Sequence, residues 1–204
     1  MKLFLASSPN LTAVQTQALL ELVGKSKLDK VLVINTGVVP YGLAPKPEWY
    51  VRSVDPLRAI STEVEEVSLI VEDIPSDSLS SYDLIFVSGG NVFYLAYQLQ
   101  ETGWGTKIAD YIKNGGVYAG SSAGSIILMD NIEHFATADG PTKAPAICPG
   151  LGLLSHAIVP HADNAKYSQL AADIAMKYQA DGYEVTLLND NQVLVINGES
   201  AAIM

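Results

Sequence analysis

Gly116-Val117-Tyr118-Ala119-Gly120-Ser121-Ser122-Ala123-Gly124-Ser125 joins an apolar strand, 116–119, to a short helix over 125–129. The joint, 120–124, has the pattern G-x-S-x-G. A serine hydroxyl is a weak nucleophile. It gains from a sharp strand-to-helix turn, which lifts it clear of the sheet toward a base and a substrate. Small residues on either side relieve the crowding of such a turn, and the helix that follows aims free backbone N–H groups at the site. Glycine and serine are common, and the bare pattern arises by chance. The apolar strand running in and the apolar helix running out give it weight. No Gly-Lys-Ser/Thr ending follows, so a phosphate loop is disfavoured.

A second turn has the same form. Residues 83–88 read as a buried strand that ends at Gly89-Gly90-Asn91, and a helix follows over 92–100. Two glycine turns at the carboxyl ends of neighbouring parallel strands would lie side by side on one sheet edge. Gly90 and Ala123 would then each offer a backbone N–H to an oxyanion. Gly89 and Asn91, on the same turn, are the expected substrate contacts.

Working outward, short β-rich runs alternate with helical stretches, which predicts an α/β fold with a mostly parallel central sheet between helices. Strands are expected at 2–6, 30–35, 66–71, 83–88, 116–119 and 158–161, with closing strands at 183–188, 192–196 and 200–203. Helices are expected from a cap at Asn10 or Thr12 to Val23, and over 48–60, 92–100, 105–114 and 165–179. Pro56 breaks or kinks the second of these. The stretches 37–47 and 130–155 read as irregular. No linker or repeat divides the 204 residues, so one domain over 1–204 is expected.

Hydrophobic residues make up 49% and charged residues 17%, a globular balance. The net charge of −10 and the presence of only two arginines, Arg52 and Arg58, argue against nucleic acid and against an anionic membrane surface. No apolar run approaches the roughly 18–20 residues that span a bilayer. The apolar start, 1–6, is cut short by Pro9, which favours a first strand over a leader and a cytoplasmic protein. Cys148 is the single cysteine, so no internal disulfide forms. No Cys/His cluster has metal-ligand spacing, and neither metal nor cofactor is expected. A homodimer is left open.

A serine nucleophile needs a base. His161 closes the strand that begins at Ile158, whereas His134 and His156 read as surface or packing residues. Orienting its ring needs a carboxylate, for which Asp139, Asp163 and Asp190 are candidates that spacing does not separate. Asp163 reads as a helix cap and Asp190 as a hairpin-turn residue. A cysteine nucleophile at Cys148 is disfavoured, because Pro149 follows it and offers no N–H.

Ser88-Gly89-Gly90-Asn91-Val92-Phe93-Tyr94-Leu95, Gly120-Ser121-Ser122-Ala123-Gly124-Ser125-Ile126-Ile127 and Val159-Pro160-His161 together resemble the peptidase E family, the aspartyl dipeptidase-like serine peptidases of family S51. Cyanophycinase is a more distant cousin. The resemblance runs roughly from Met1 to Ile196. It implies a three-layer sandwich of the class I glutamine amidotransferase-like, flavodoxin-like kind, with serine in place of cysteine. It implies Ser122 as nucleophile, His161 as base, Gly90 and Ala123 as oxyanion donors, and a small peptide as substrate. Asp139 falls where relatives carry an acidic residue between serine and histidine, and is the expected triad acid. Asp190 falls near a second acidic position. The chain departs from the family in one respect. Aspartyl dipeptidases carry an arginine after the histidine, whereas 163–175 here holds only Lys166 as a basic residue. Strict preference for an N-terminal aspartate is therefore not expected.

Overall fold

Apolar residues occupy both faces of the central strands, and this requires cover on both sides. In β1 (Lys2–Ala6), Leu3 and Leu5 face one core while Phe4 and Ala6 face another. The same alternation runs through β2 (Leu28–Ile34), β4 (Leu84–Val87) and β5 (Val117–Ser121). The computed structural model describes residues 1–8, 11–70 and 76–204, without the side chains of 76–78. With β3 (Ser61–Val67), β8 (Val193–Asn197) and β9 (Ser200–Ile203), seven of the described strands form one sheet in the order β3-β2-β4-β5-β1-β8-β9. The first five are parallel. β8 runs antiparallel to β1, and β9 antiparallel to β8.

Helices α1 (Ala13–Val23) and α2 (Glu48–Ile60) cover one face with Leu19, Leu22, Tyr50, Val54 and Leu57. Helices α3 (Val92–Glu101), α4 (Trp104–Lys113), α5 (Ala123–Ile126) and α7 (Ser168–Ala180) cover the other. The expected α/β three-layer sandwich is therefore present. Pro56 sits inside α2 without ending it. Thr12 caps α1, with Gln15 reaching back to complete a capping box. Asn10, the other expected cap, lies outside the described residues.

Five expectations are corrected. The third strand, β3, runs over Ser61–Val67 instead of starting at Glu66, and Val71 lies outside the described residues. β3 is an edge strand, where charge is tolerated: Lys30 of β2 meets Glu63 at 3.2 Å and Glu65 at 3.0 Å. A search for apolar runs passes over such a strand. The strand before His161, β6 (Ala157–Val159), pairs in parallel with β7 (Val185–Leu187) in a separate two-stranded sheet. The stretch 130–155 holds short helical turns, including α6 (Ala136–Asp139). Helix α5 begins at Ala123, directly after the elbow serine, and α7 begins at Ser168.

β4 and β5 are hydrogen-bonded neighbours, so their two glycine turns share the carboxyl edge of the sheet, as the sequence implies. The contact between those turns leaves no room for side chains. A Cβ on Gly124 would lie 2.0 Å from the Val87 carbonyl oxygen, and one on Gly120 would lie 2.3 Å from the Gly124 oxygen. Both obstacles are backbone, which cannot swing aside. Gly124→Ala is expected to destabilise the fold by about 3 kcal/mol or more. Urea unfolding of the variant checks this, and a stability equal to wild type would contradict the contact.

Candidate active site

Ser122 leaves β5 with φ +50° and ψ −111°, a conformation that L residues rarely adopt. Its N–H donates to the Ala6 oxygen at 3.0 Å, and the Ser125 hydroxyl donates to the same oxygen at 2.9 Å. The buried Tyr118 hydroxyl donates to the Gly124 oxygen at 2.5 Å. These bonds hold the turn shut and leave the Ser122 side chain outside it. Among the described residues, the non-glycine positions with positive φ are Ser122 and His161 (+64°). Each such conformation costs of order 1–3 kcal/mol, and strain of this kind gathers at functional sites. Here it falls on the two residues that sequence reasoning pairs.

The pair is in contact. Ser122 Oγ lies 3.0 Å from His161 Nε2, and His161 Nδ1 lies 2.5 Å from Asp190 Oδ1. A carboxylate only accepts, so Nδ1 carries the ring proton and Nε2 presents a lone pair to the serine hydroxyl. Asp190 is held by several donors. Asn164 Nδ2 donates to its Oδ2 at 2.6 Å, and the Ser7 hydroxyl donates to its Oδ1 at 3.3 Å. The Asp190 N–H donates to Asp163 Oδ1 at 2.7 Å, and the His161 N–H donates to Ser7 Oγ at 2.8 Å. Burial pushes the Asp190 carboxyl upward. Donation from Asn164 and His161 outweighs that and holds it below the usual carboxylate range.

Asp139, the expected triad acid, is corrected here. Its Oδ2 accepts the Val92 N–H at 2.7 Å, at the start of α3, and the carboxylate on His161 is that of Asp190. Asp190 wins because the turn after β7 lies beside the loop that carries His161, with Ala162 N–H donating to the Leu188 oxygen at 3.0 Å. Asn91 is also corrected as a substrate contact. It is fully buried, caps α3 by accepting the Tyr94 N–H at 2.8 Å, and donates to the backbone oxygens of Asp139 and Gly140. Asp163 supports the Asp190 loop and does not cap α7, whose preceding residue is Tyr167. Sequence reasoning missed Ser7 and Asn164. Ser7 could not be found without knowing that β1 lies beside β5. Asn164, three residues after His161 in a turn, was within reach.

Gly89 and Gly90 line the same pocket as Ser122 and His161. Gly90 has φ +129°, and a Cβ there would lie 2.1 Å from the Gly37 oxygen, so only glycine fits. Ala123 is buried below the pocket, and its N–H, at the first position of α5, has no carbonyl within the helix to meet. The pocket, about 420 Å³, straddles the carboxyl edge of the sheet. On the α2 side stand Trp49 and Arg52, brought to the site from a segment far from the motifs in sequence. Arg52 is largely exposed, with Nη1 3.7 Å from Glu48. Cys148 is buried, is absent from the pocket lining, and has its thiol pushed up by burial. His134 bonds Asp181, at the carboxyl end of α7, at 2.6 Å.

The chain is similar to known proteins by family, by sequence and by fold. The family model described as peptidase family S51 matches residues 3–204. An uncharacterized peptidase of Pasteurella multocida is 32% identical over 134 residues, 63% of this chain and 62% of that protein. Peptidase E of Salmonella arizonae is 36% identical over 91 residues, 45% of this chain and 39% of that protein. The matched stretch thus spans under two thirds of the length of each of these relatives. A crystal structure of a candidate peptidase E protein from Listeria monocytogenes superposes with a TM-score of 0.86 at 24% identity, covering 100% of this chain and 97% of the other. That likeness establishes the shared fold.

Asp139 remains in the pocket with a different character from Asp190. Burial pushes its carboxyl up to about 6, against the pull of the Val92 N–H, His161 and Lys143. Between the ordinary value of 3.8 and about 6, the folded chain keeps a proton that the unfolded chain has lost. Stability therefore falls as pH rises through that window and stays lower above it. Asp139→Asn removes the charge. It is expected to be more stable than wild type by about 1–2 kcal/mol above neutrality, allowing for partial solvent screening, and to lose that advantage below about pH 4. Thermal unfolding of both proteins across the pH range measures the difference. An advantage that grows on acidification would contradict the assignment.

Proposed function

Since this chain belongs to peptidase family S51, we propose that it is a serine peptidase hydrolysing small peptides through an acyl-enzyme on Ser122. The reading is carried by the unbroken line Ser122 Oγ–His161 Nε2, His161 Nδ1–Asp190 Oδ1 at the mouth of the pocket.

The steps follow from the hydrogen-bond directions. Ser122 Oγ attacks the carbonyl carbon of the substrate, and its proton passes to His161 Nε2. The ring becomes an imidazolium, stabilised by Asp190, which stays ionised because its other donors keep its carboxyl low. Negative charge moves onto the carbonyl oxygen, where the N–H groups of Gly90 and Ala123 are the available donors. His161 then gives its proton to the leaving nitrogen as the C–N bond breaks. A water attacks the acyl-serine, losing its proton to His161 Nε2, and collapse of the second tetrahedral species returns the proton to Ser122. Every proton travels by one nitrogen, so the tautomer set by Asp190 governs both halves of the reaction.

Binding of a small peptide suits a pocket of this size, lined mainly by apolar groups with a few polar ones. The cytoplasm is the compartment that suits a chain with one buried thiol and no disulfide.

Labelling with a fluorophosphonate, read by mass spectrometry, tests the nucleophile. A single adduct on Ser122 is expected, and none in Ser122→Ala. Peptide hydrolysis by Ser122→Ala is expected to fall by about 10⁴ or more, with the fold intact. The acids are ranked by kcat. Asp190→Asn should lose about 10⁴ through the wrong His161 tautomer, and Asp139→Asn should lose far less. The reverse ranking would return the triad role to Asp139.

A further inference from the structure

The pocket has two unlike halves. On the α2 side it is partly polar, with Arg52 and Ser53 beside Trp49. On the other side it is walled by Ile126, Phe135, Val159, Leu170, Ala171 and Ile174, all apolar; Leu170, Ala171 and Ile174 come from α7, and Leu170 packs against the core to which the other five belong. Five of these six are nearly inaccessible to solvent and form an apolar floor continuous with the core, and Leu170, half-buried, is the accessible part of the wall. These six side chains offer a carboxylate no partner, and an aspartate packed among them would be buried unpaired. An aliphatic side chain, by contrast, would leave water without losing a hydrogen bond.

Asp139 lines the same pocket, four residues beyond Phe135, with one carboxylate oxygen on Val92 N–H. A negative group beside an apolar recess matches one fragment in particular, an amino-terminal residue. There the α-ammonium and the side chain leave the same carbon, and the next carbon is the carbonyl that Ser122 would attack. We propose that this half of the pocket selects peptides whose first residue is aliphatic, with the side chain among Ile126, Phe135, Val159, Leu170, Ala171 and Ile174 and the ammonium toward Asp139. The inference rests on the reading of Ser122 as an acyl-enzyme nucleophile only for which carbonyl is attacked. The recess itself can be tested without turnover.

The test measures binding of Leu-Gly, Gly-Leu and Asp-Gly to Ser122→Ala by calorimetry at fixed pH and salt. Leu-Gly and Gly-Leu carry the same atoms in a different order, so their difference reports at which position the aliphatic side chain is favoured. Leu-Gly is expected to bind at least about tenfold more tightly than either of the others. Gly-Leu binding as tightly as Leu-Gly, or a level response across the three peptides, including none detectable, overturns the proposal. So does tightest binding of Asp-Gly, and loss of that preference in Arg52→Met would then identify Arg52 as the selecting residue. Filling the recess with Ala171→Leu should erase the advantage of Leu-Gly. Should that variant fail to fold, Leu170→Asn at the half-buried wall serves instead, and full retention of the advantage in the folded variant overturns the proposal. Turnover by the wild type separates the two readings. Preferential binding of Leu-Gly with no hydrolysis would unseat the serine mechanism and leave the recess standing. Hydrolysis with a level binding response would do the reverse.

Discussion

At Gly124 the backbone of one strand turn lies against the carbonyl of another, with no space for a methyl group between them. Much of the candidate site depends on that contact. It seats the elbow on β4, and the hydrogen bonds from Tyr118, Ser125 and Ser122 then lock the chain into the positive φ of Ser122. A serine at ordinary φ would lie along the sheet edge. A serine forced past it stands where His161 can reach. The same close packing recurs at Gly90 against Gly37, which brings the second turn level with the first.

The two pocket carboxylates show how environment divides one side-chain type into two characters. Asp190 and Asp139 are both partly buried, and burial raises both. Asp190 is then surrounded by donors from Asn164, His161 and Ser7, which reverse the effect and keep it charged. Asp139 has the Val92 N–H as its principal donor and stays high. On the proposed mechanism the acid held low is the one suited to hold an imidazolium. The raised one carries a cost to stability that a purely structural turn would have no reason to keep.

The layered fold was legible because the central strands are apolar on both faces and the helices between them carry clear caps and stripes. Thr12 before α1 is a local signal that needs no partner from afar. The edge strand β3 was misplaced because its glutamates answer to Lys30 on the neighbouring strand, an interaction that a run of hydrophobicity does not register. The strands at 157–159 and 185–187 were found as strands, but their departure into a small second sheet was not. Nothing in three residues of Ala-Ile-Val says which neighbour they will choose.

By itself, then, the sequence determined the pieces whose physics is local: the glycine-flanked elbow at Ser122, the turn at Gly89-Gly90, and a histidine at a strand end. Steric exclusion and hydrogen-bonding capacity act within a few residues, so they can be read from order alone. Only the tertiary structure decided which acid reaches His161, that Ser7 and Asn164 brace that acid, and that Arg52 shares the pocket. Those groups come from segments up to 183 positions apart, brought together by strand order. A contact of 2.5 Å between side chains 29 residues apart is set by how β6, β7 and β1 dispose their ends, and spacing along the chain carries no measure of that distance.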